Sequence, residues 1–167
     1  KRMVWDVANK VSNKPVAAAI AITGDFVDRS EALVDAGVDI LCVDVAHGHH
    51  MMMRNALATL KRNLPNNVHI MAGNVATRKG YEALAEWGAD SVRIGIGGGS
   101  ICSTRVQTGH GIPTFQSVLD CSESECAGEI PIIADGGIKT SGDIVKAIGA
   151  GADFVMIGSL FSGTTET

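Results

Sequence analysis

Short apolar runs alternate along this chain with longer segments in which apolar residues recur every three or four positions. The short runs are typical of parallel strands buried on both faces, and the longer segments of amphipathic helices. Six strands are predicted, over residues 16–22, 40–45, 68–72, 91–94, 130–134 and 154–157. Five helices are predicted, over residues 26–36, 51–63, 78–87, 114–126 and 141–150, and residues 1–13 are predicted to be the end of a helix and a linker.

A short motif recurs where a predicted helix leads into a strand. Three times, a glycine and then an acidic residue come just before the apolar run. The glycine is predicted to follow the C-cap of the helix, at Gly37, Gly88 and Gly151. At the other end of a helix, Asp25 is predicted to act as the N-cap of the first one.

Alternating strands and helices indicate an α/β fold with a parallel sheet and right-handed crossovers. A polar residue or a glycine follows nearly every strand, at Asp44, Asn74, Gly95, Asp135 and Gly158. Active sites of (β/α)₈ barrels gather at that end of the strands, which favours a TIM barrel over an open, doubly wound sheet. Residues 1–167 are therefore predicted to be one partial barrel domain that supplies about the last six strand–helix units. Two strands are expected upstream.

Composition narrows the classes of protein. The chain is 46% hydrophobic and 19% charged with a net charge of −4, which is typical of a globular protein and gives no reason to expect nucleic acid or an anionic membrane as a partner. No apolar run reaches the roughly 18 residues of a membrane span. The four cysteines, Cys42, Cys102, Cys121 and Cys126, form no CxxC pair, which is typical of reduced thiols and predicts a cytoplasmic location.

Residues 93–113 contain the strongest candidate for a functional site. Here a strand runs into a glycine-rich loop that contains Cys102. Dense glycine lets the backbone approach a ligand closely and present its N–H and C=O groups. A helix is predicted to follow Cys102, and the N–H dipoles nearby favour the thiolate, which is the nucleophilic form. A buried cysteine that only fills space is the alternative.

The tips of the last two predicted strands have the character of a phosphate site. Gly136, Gly137, Gly158 and Ser159 can offer backbone N–H groups to a phosphate, as loops at this position in barrels often do. Asp135 is suited to accept hydrogen bonds from a ribose diol. Tight turns without a ligand are the alternative.

Three histidines, His47, His49 and His50, follow the second strand, but no partner set of carboxylates or cysteines is evident nearby, so a metal site there is disfavoured. Asp44 is predicted to pair with a second ribose or an amide, and Asn74 with a ligand amide. No glycine-rich dinucleotide fingerprint opens a helix, so a dinucleotide would not be held in the Rossmann manner.

Several segments together resemble one enzyme family. Residues 97–105 (GGGSICSTR) and 108–113 (TGHGIP) resemble the cysteine loop of the IMP dehydrogenase and GMP reductase family. Residues 134–138 (ADGGI), 141–144 and 156–160 resemble its phosphate-side motifs, and residues 44–49 its nicotinamide segment. The resemblance implies a (β/α)₈ barrel, often with a regulatory CBS pair after the second strand.

The resemblance also implies roles for single residues. Cys102 would attack C2 of the purine of IMP, hydride would pass to NAD⁺, and Thr104 would help to activate the water that releases XMP. The implied nucleotide contacts are Ser100, Asp135, Gly136, Gly137, Gly158 and Ser159. The implied positions near the NAD cofactor are Asp44, Asn74, Arg93 and Gly95. The carbonyls implied to hold a potassium ion are those of Gly97, Gly99 and Cys102.

One departure from the family pattern is Thr114, which stands where glutamine usually follows the loop proline. The family's mobile flap with its arginine, and the glutamate that pairs with the loop threonine, are expected past residue 167. IMP dehydrogenase activity is the leading expectation, with GMP reductase as the alternative and a non-catalytic nucleotide-binding barrel fragment as a third. A homotetramer is expected from the family.

Overall fold

Six parallel strands form a single sheet in the computed structural model, which describes residues 14–165. They are β1 (Ala17–Ile20), β2 (Ile40–Asp44), β3 (His69–Val75), β4 (Ser91–Ile94), β5 (Ile132–Asp135) and β6 (Phe154–Met156). Their order across the sheet follows their order in the chain. A doubly wound sheet reverses its strand order, whereas a barrel does not, so this order identifies a partial TIM barrel. The predicted fold is confirmed.

Helices occupy the connections between the strands. They are α1 (Phe26–Val34), α2 (Met51–Asn63), α3 (Arg78–Glu86), α4 (Thr104–Thr108), α5 (Thr114–Ser122) and α6 (Ser141–Gly149), with a 3₁₀ turn at Ser159–Phe161. The core includes fully buried side chains of Leu41 on β2, Leu57 on α2, Tyr81 on α3 and Ile132 on β5. The Tyr81 hydroxyl donates to the Ile130 carbonyl at 2.6 Å, which satisfies its polar end inside the core.

Helix starts differ in how they are capped. Thr140 and Asp143 form a capping box on α6, and the Thr77 hydroxyl accepts from the Gly80 N–H at 3.2 Å on α3. Asp25 lies at the predicted N-cap position of α1, but its side chain does not make the expected capping hydrogen bond. Its backbone, with φ −83° and ψ 30°, is not the extended conformation that directs a carboxylate toward the first-turn N–H groups, and it makes no such bond.

The recurring glycine performs the predicted function at the amino end of the sheet. Gly37, Gly88 and Gly151 have φ values of 93°, 96° and 105°, so each takes the left-handed conformation that lets the chain leave a helix and enter the next strand.

The aspartate two residues after each glycine has a role that sequence reasoning did not assign. Each carboxylate accepts a hydrogen bond from a backbone N–H near the start of the preceding strand. The pairs are Asp39 with Val16 at 2.8 Å, Asp90 with Ile70 at 2.7 Å, and Asp153 with Ile132 at 2.8 Å. Three otherwise unpaired donors at the amino edge of the sheet are thereby satisfied.

Several element boundaries depart from the predictions. β3 continues to Val75 through a register shift opposite β4, whereas the prediction stopped it at residue 72. β1 is shorter than predicted, the predicted helix over 114–126 ends at Ser122, and α4 is the helix expected after Cys102, for which no bounds were predicted. The end of the helix at Ser122 and the bounds of α4 were not predicted for the same reason. Short turns such as 124–128 and short helices contain too few residues to show a periodic pattern. The prediction for residues 1–13 lies outside the described residues.

Within residues 14–165, no helix combines the length and the apolar character that crossing a lipid bilayer requires.

Candidate functional site

All fourteen site residues that the sequence predicted lie at the carboxyl ends of the strands, along two adjoining cavities. The β4 cavity, of about 310 Å³, is lined by Asp44, Asn74, Arg93, Gly95, Gly97, Gly99, Cys102, Thr104, Asp135 and Gly136, among others. The β6 cavity, of about 510 Å³, is lined by Ser100, Gly137, Gly158 and Ser159, among others. Gly99, Ile101, Asp135 and Gly136 line both, so the cavities meet along one wall.

Cys102 lies at the end of the glycine loop, two residues before α4 begins. Its backbone N–H donates to the Gly99 carbonyl at 3.2 Å. Hydrogen bonds from the Thr104 hydroxyl and backbone N–H, and from the Gly97 N–H, lower the pKa of the Cys102 thiol below its ordinary value. The residue is half-buried, whereas Cys42 and Cys121 are buried, which argues against a purely space-filling role for Cys102.

The side chain of Arg105, on α4, packs against the glycine loop. A Cβ added at Gly97 would lie 2.5 Å from the Arg105 Cγ, and one added at Gly111 would lie 2.6 Å from it. The loop therefore wraps the arginine stem so closely that only glycine fits at either position. This packing ties α4, and with it Thr104, to the glycine loop that carries Cys102.

The ends of β4 and β5 approach each other through backbone contacts. Gly95 has φ 142°, and a Cβ there would lie 2.0 Å from the Asp135 carbonyl oxygen. Gly136 has φ 92°, and its added Cβ would lie 2.8 Å from the Gly99 nitrogen. The glycines thus bring the cysteine loop directly against the loop that carries Asp135.

A serine pair joins the cysteine loop to the tip of β6. The Ser100 and Ser159 hydroxyl oxygens are 3.2 Å apart, although 59 residues separate them in sequence. Ser159 begins the 3₁₀ turn, directly after Gly158. The structure thus places together the residues that the sequence assigned to a phosphate.

Arg93 occupies the floor of the β4 cavity. Its Nη2 is 2.9 Å from Asp135 Oδ2, its Nη1 is 3.2 Å from Asp44 Oδ1, and only 8% of the residue is exposed. Burial opposes the charge on this guanidinium, but the hydrogen bond to Asp135 and the carboxylates of Asp135 and Asp44 outweigh burial and raise the pKa of Arg93. The arginine therefore stays charged between two strand tips.

Sequence reasoning missed a contact beneath this arginine. Arg93 Nη1 lies 2.8 Å from Cys42 Sγ, inside the sheet. Burial raises the pKa of the Cys42 thiol, so it stays protonated at neutral pH and the two carboxylates balance the arginine charge. Alternation along β2 was the available signal, because Cys42 and Asp44 are two residues apart and share a face.

Asn74 links β3 to both neighbouring tips. Its Nδ2 donates to the Gly95 carbonyl at 2.7 Å and to Asp135 Oδ2 at 2.8 Å. Its Oδ1 is buried and has no hydrogen-bond partner. A buried acceptor without a partner is uncommon in native proteins, and this one belongs to a residue that lines the β4 cavity.

The histidines after β2 have structural contacts. His50 caps α2, because its Nδ1 accepts from the Met52 N–H at 3.1 Å. The His49 ring packs against Trp87 with centroids 5.9 Å apart. In residues 14–165, no group of three or more His, Cys, Asp or Glu side chains has the arrangement of a metal site.

The fold is a partial TIM barrel. At the carboxyl ends of its strands, a cysteine whose thiol has a lowered pKa lies between glycine-rich strand tips. The sequence model described as the IMP dehydrogenase / GMP reductase domain matches residues 1–167. The chain belongs to this family.

Curated relatives of both kinds are similar to this chain. An inosine-5'-monophosphate dehydrogenase of Rhizobium tropici is 52% identical over 151 residues, covering 90% of this chain and 30% of the relative. A GMP reductase of Leishmania major is 50% identical over 152 residues, covering 90% of this chain and 31% of the relative. The chain spans about a third of the length of these relatives.

Solved structures agree with the fold. A GMP reductase of Trypanosoma brucei superimposes with a TM-score of 0.86 at 46% identity, covering 92% of this chain and 34% of that one. A second structure of that enzyme, in complex with guanosine 5'-monophosphate, matches equally well.

Proposed function

We propose that this chain supplies the cysteine loop and the nucleotide-binding strand tips of an IMP dehydrogenase, which oxidises IMP to XMP with NAD⁺. The observation that carries the proposal is the position of the Cys102 thiol. Its pKa is lowered, and its cavity adjoins the one formed by Gly137, Gly158 and Ser159. A nucleophile and an anion-binding set of glycines in adjoining cavities suit a purine nucleotide held by its 5′ phosphate.

Cys102 is proposed to act as the nucleophile. Its thiolate would form a carbon–sulfur bond at C2 of the purine as hydride leaves C2, and bound NAD⁺ would supply the acceptor for that hydride. Water then adds at C2, the carbon–sulfur bond breaks, and XMP and the free thiol result. The Thr104 hydroxyl donates to the sulfur in the structure, and it is proposed to contact the incoming water during release of the product.

The substrate is proposed to lie across the shared wall of the cavities. Backbone N–H groups of Gly136, Gly137, Gly158 and Ser159, with the Ser100 hydroxyl, would bind the phosphate. The Asp135 carboxylate, only partly exposed, would accept hydrogen bonds from the ribose hydroxyls. This orientation directs the base toward Cys102 in the β4 cavity.

The far side of the β4 cavity suits the nicotinamide part of NAD. The Asp44 side chain is 50% exposed although it pairs with Arg93, so it can bind a ribose or an amide. The unpartnered Asn74 Oδ1 is an acceptor that a carboxamide N–H would satisfy. Arg93 and Gly95 complete this wall, and the four residues fit the cofactor.

A potassium ion is proposed at the carbonyls of Gly97, Gly99 and Cys102. Backbone carbonyls are the hard, uncharged oxygen donors that a monovalent cation prefers. Each carbonyl has two acceptor positions, so the Gly99 oxygen that accepts the Cys102 N–H retains one for an ion.

An assay with two substrate pairs tests the function. The full-length gene product should form NADH from IMP and NAD⁺, with a covalent nucleotide adduct on Cys102 detectable by mass spectrometry. GMP reductase is the second candidate, because reductases match this chain about as closely as dehydrogenases do. Loss of NADPH with GMP, and no NADH with IMP, would select it. Tight nucleotide binding without either reaction would identify the third candidate, a non-catalytic nucleotide-binding barrel.

The assembly and the location of the protein stay predictions. Phe154 on the edge strand β6 is 61% exposed, and such an apolar edge needs covering in a larger structure. A homotetramer is proposed and sedimentation of the full-length gene product tests it, while a cytoplasmic location follows only from the use of cysteine.

A further inference from the structure

Three hydrogen-bond donors converge on one oxygen of Asp135. Oδ2 accepts from Asn74 Nδ2 at 2.8 Å, from Arg93 Nη2 at 2.9 Å and from Arg93 Nε at 3.3 Å. Among residues 14–165, no protein donor contacts Oδ1, and Asp135 lines both cavities. One oxygen of this carboxylate is therefore held by the protein and the other remains available.

We propose that Asn74 and Arg93 are positioning residues, which fix the Asp135 carboxylate by Oδ2 so that Oδ1 faces the ribose hydroxyls of the nucleotide. The inference rests on the proposed function and adds a role to residues that the sequence associated with the cofactor. A carboxylate held by three donors cannot rotate freely, so its hydrogen bonds to a diol require little further ordering.

The orientation of Asn74 is fixed by its surroundings. Nδ2 faces a carbonyl and a carboxylate, and an amide flip would place Oδ1 against these two acceptors. The same amide therefore serves both cavity walls, with Nδ2 holding Asp135 and Oδ1 left for a different ligand group.

Arg93 is held as firmly as the carboxylate it holds. The guanidinium contacts Asp44 and Cys42 as well as Asp135, and the added Cβ at Gly73 would lie 2.6 Å from the Arg93 Cβ. Glycine at position 73 is thus needed because any side chain there would displace Arg93 from its present position. A lysine has no planar fork and cannot contact the same partners together.

The test compares a nucleotide with its 2′,3′-dideoxy analogue, which lacks both ribose hydroxyls. In the full-length wild-type gene product, kcat/KM should favour IMP over dideoxy-IMP by roughly 10- to 100-fold, the range expected for hydrogen bonds to a charged group. In Asn74→Ala this ratio should become at least about fivefold smaller, and Arg93→Lys should shift it in the same direction. A merely structural role would lower both rates alike and leave the ratio intact.

Matched controls and a double variant complete the design. Asn63→Ala removes an exposed asparagine that bonds only within α2, and Arg78→Lys alters an exposed arginine paired with Glu123. Neither should change the ratio. In an Asp135→Ala background, Asn74→Ala should have no further effect on the ratio, because the group that it positions is gone.

Each result decides the inference. A full wild-type ratio in Asn74→Ala overturns it, as does a wild type that fails to discriminate between the nucleotides. If Arg93→Lys does not fold, as judged by its melting curve, Asn74→Ala alone decides. If the wild type turns over neither IMP nor GMP, the proposed function fails. The same ratio of dissociation constants, measured by calorimetry with nucleotide alone, then still tests the positioning role.

Discussion

At the amino ends of the strands, glycine and aspartate complete the backbone of the fold, whereas at the carboxyl ends the same residue types line the cavities. Gly37, Gly88 and Gly151 reverse the chain after helices, and the following aspartates accept strand N–H groups. At the other end, Gly95 and Asp135 bring two loops together and hold an arginine. The comparison shows that the chemistry of a residue type does not decide its role, while the end of the strand on which it lies does.

The largest loss of activity is expected from a substitution at Cys102, which lies at the carboxyl end of the sheet. Cys102→Ala should lower kcat/KM of the full-length gene product by about a thousandfold or more, because the proposed covalent intermediate forms on this sulfur. Its free energy of unfolding should hardly change, since the side chain is half-buried. Cys121→Ala is the control. Its side chain is fully buried, and we expect a loss of about 1 kcal/mol of stability with activity retained.

Glycine substitutions at the two ends should differ in both stability and activity. At Gly95, a Cβ meets the Asp135 carbonyl at 2.0 Å, so Gly95→Ala must push β4 and β5 apart and lose most activity, with a cost of about 3 kcal/mol or more. At Gly88, the nearest atom to an added Cβ is 3.7 Å away, so only the positive φ is unfavourable. We expect Gly88→Ala to cost about 1–2 kcal/mol with kcat unchanged. Urea unfolding and steady-state kinetics measure both, and equal losses of activity would contradict the comparison.

An aspartate at the amino end should affect stability alone. Asp39→Ala leaves the Val16 N–H without its partner and should lower the free energy of unfolding by about 1–2 kcal/mol, as measured by urea titration. Nucleotide affinity should not change. Asp39→Asn keeps an acceptor oxygen and should recover most of the loss, and a lowered nucleotide affinity in either variant would show that the two ends are not independent.

The smallest expected effect is a shift in the pKa of the Cys102 thiol. Because the Thr104 hydroxyl and N–H lower its pKa, alkylation by iodoacetamide should rise with pH through a midpoint below that of an ordinary thiol. Thr104→Ala removes the hydroxyl and should move the midpoint upward, so alkylation at pH 7 should be several-fold slower. An unchanged midpoint would show that the backbone N–H groups alone determine the pKa.

Much of the architecture was readable from local patterns. Six strands, five of the helices and the glycine after each of three helices were predicted correctly, because apolar periodicity and left-handed turns are properties of neighbouring residues. The fourteen predicted site residues share one face for a related reason, since polar residues just past parallel strands must lie at the same edge of the sheet. Their individual roles stay predictions.

The failures concern features without a local pattern. The bounds of α4 could not be predicted, because its five residues are too few to show periodicity. The capping bond expected of Asp25 depends on a backbone conformation that the residue type does not fix. The continuation of β3 through Gly73 and Asn74 depends on β4, whose Arg93 lies against the glycine.

The sequence alone therefore determined the number and order of the strands, where the three glycine reversals fall and which side chains reach the carboxyl face, because each depends on spacing over a few positions. Only the tertiary structure decided that Arg93 and Asn74 hold the same oxygen of Asp135, which is 42 residues from the arginine and 61 from the asparagine. That contact depends on strand register and on how closely the glycines allow the tips to approach, and a linear sequence contains neither quantity.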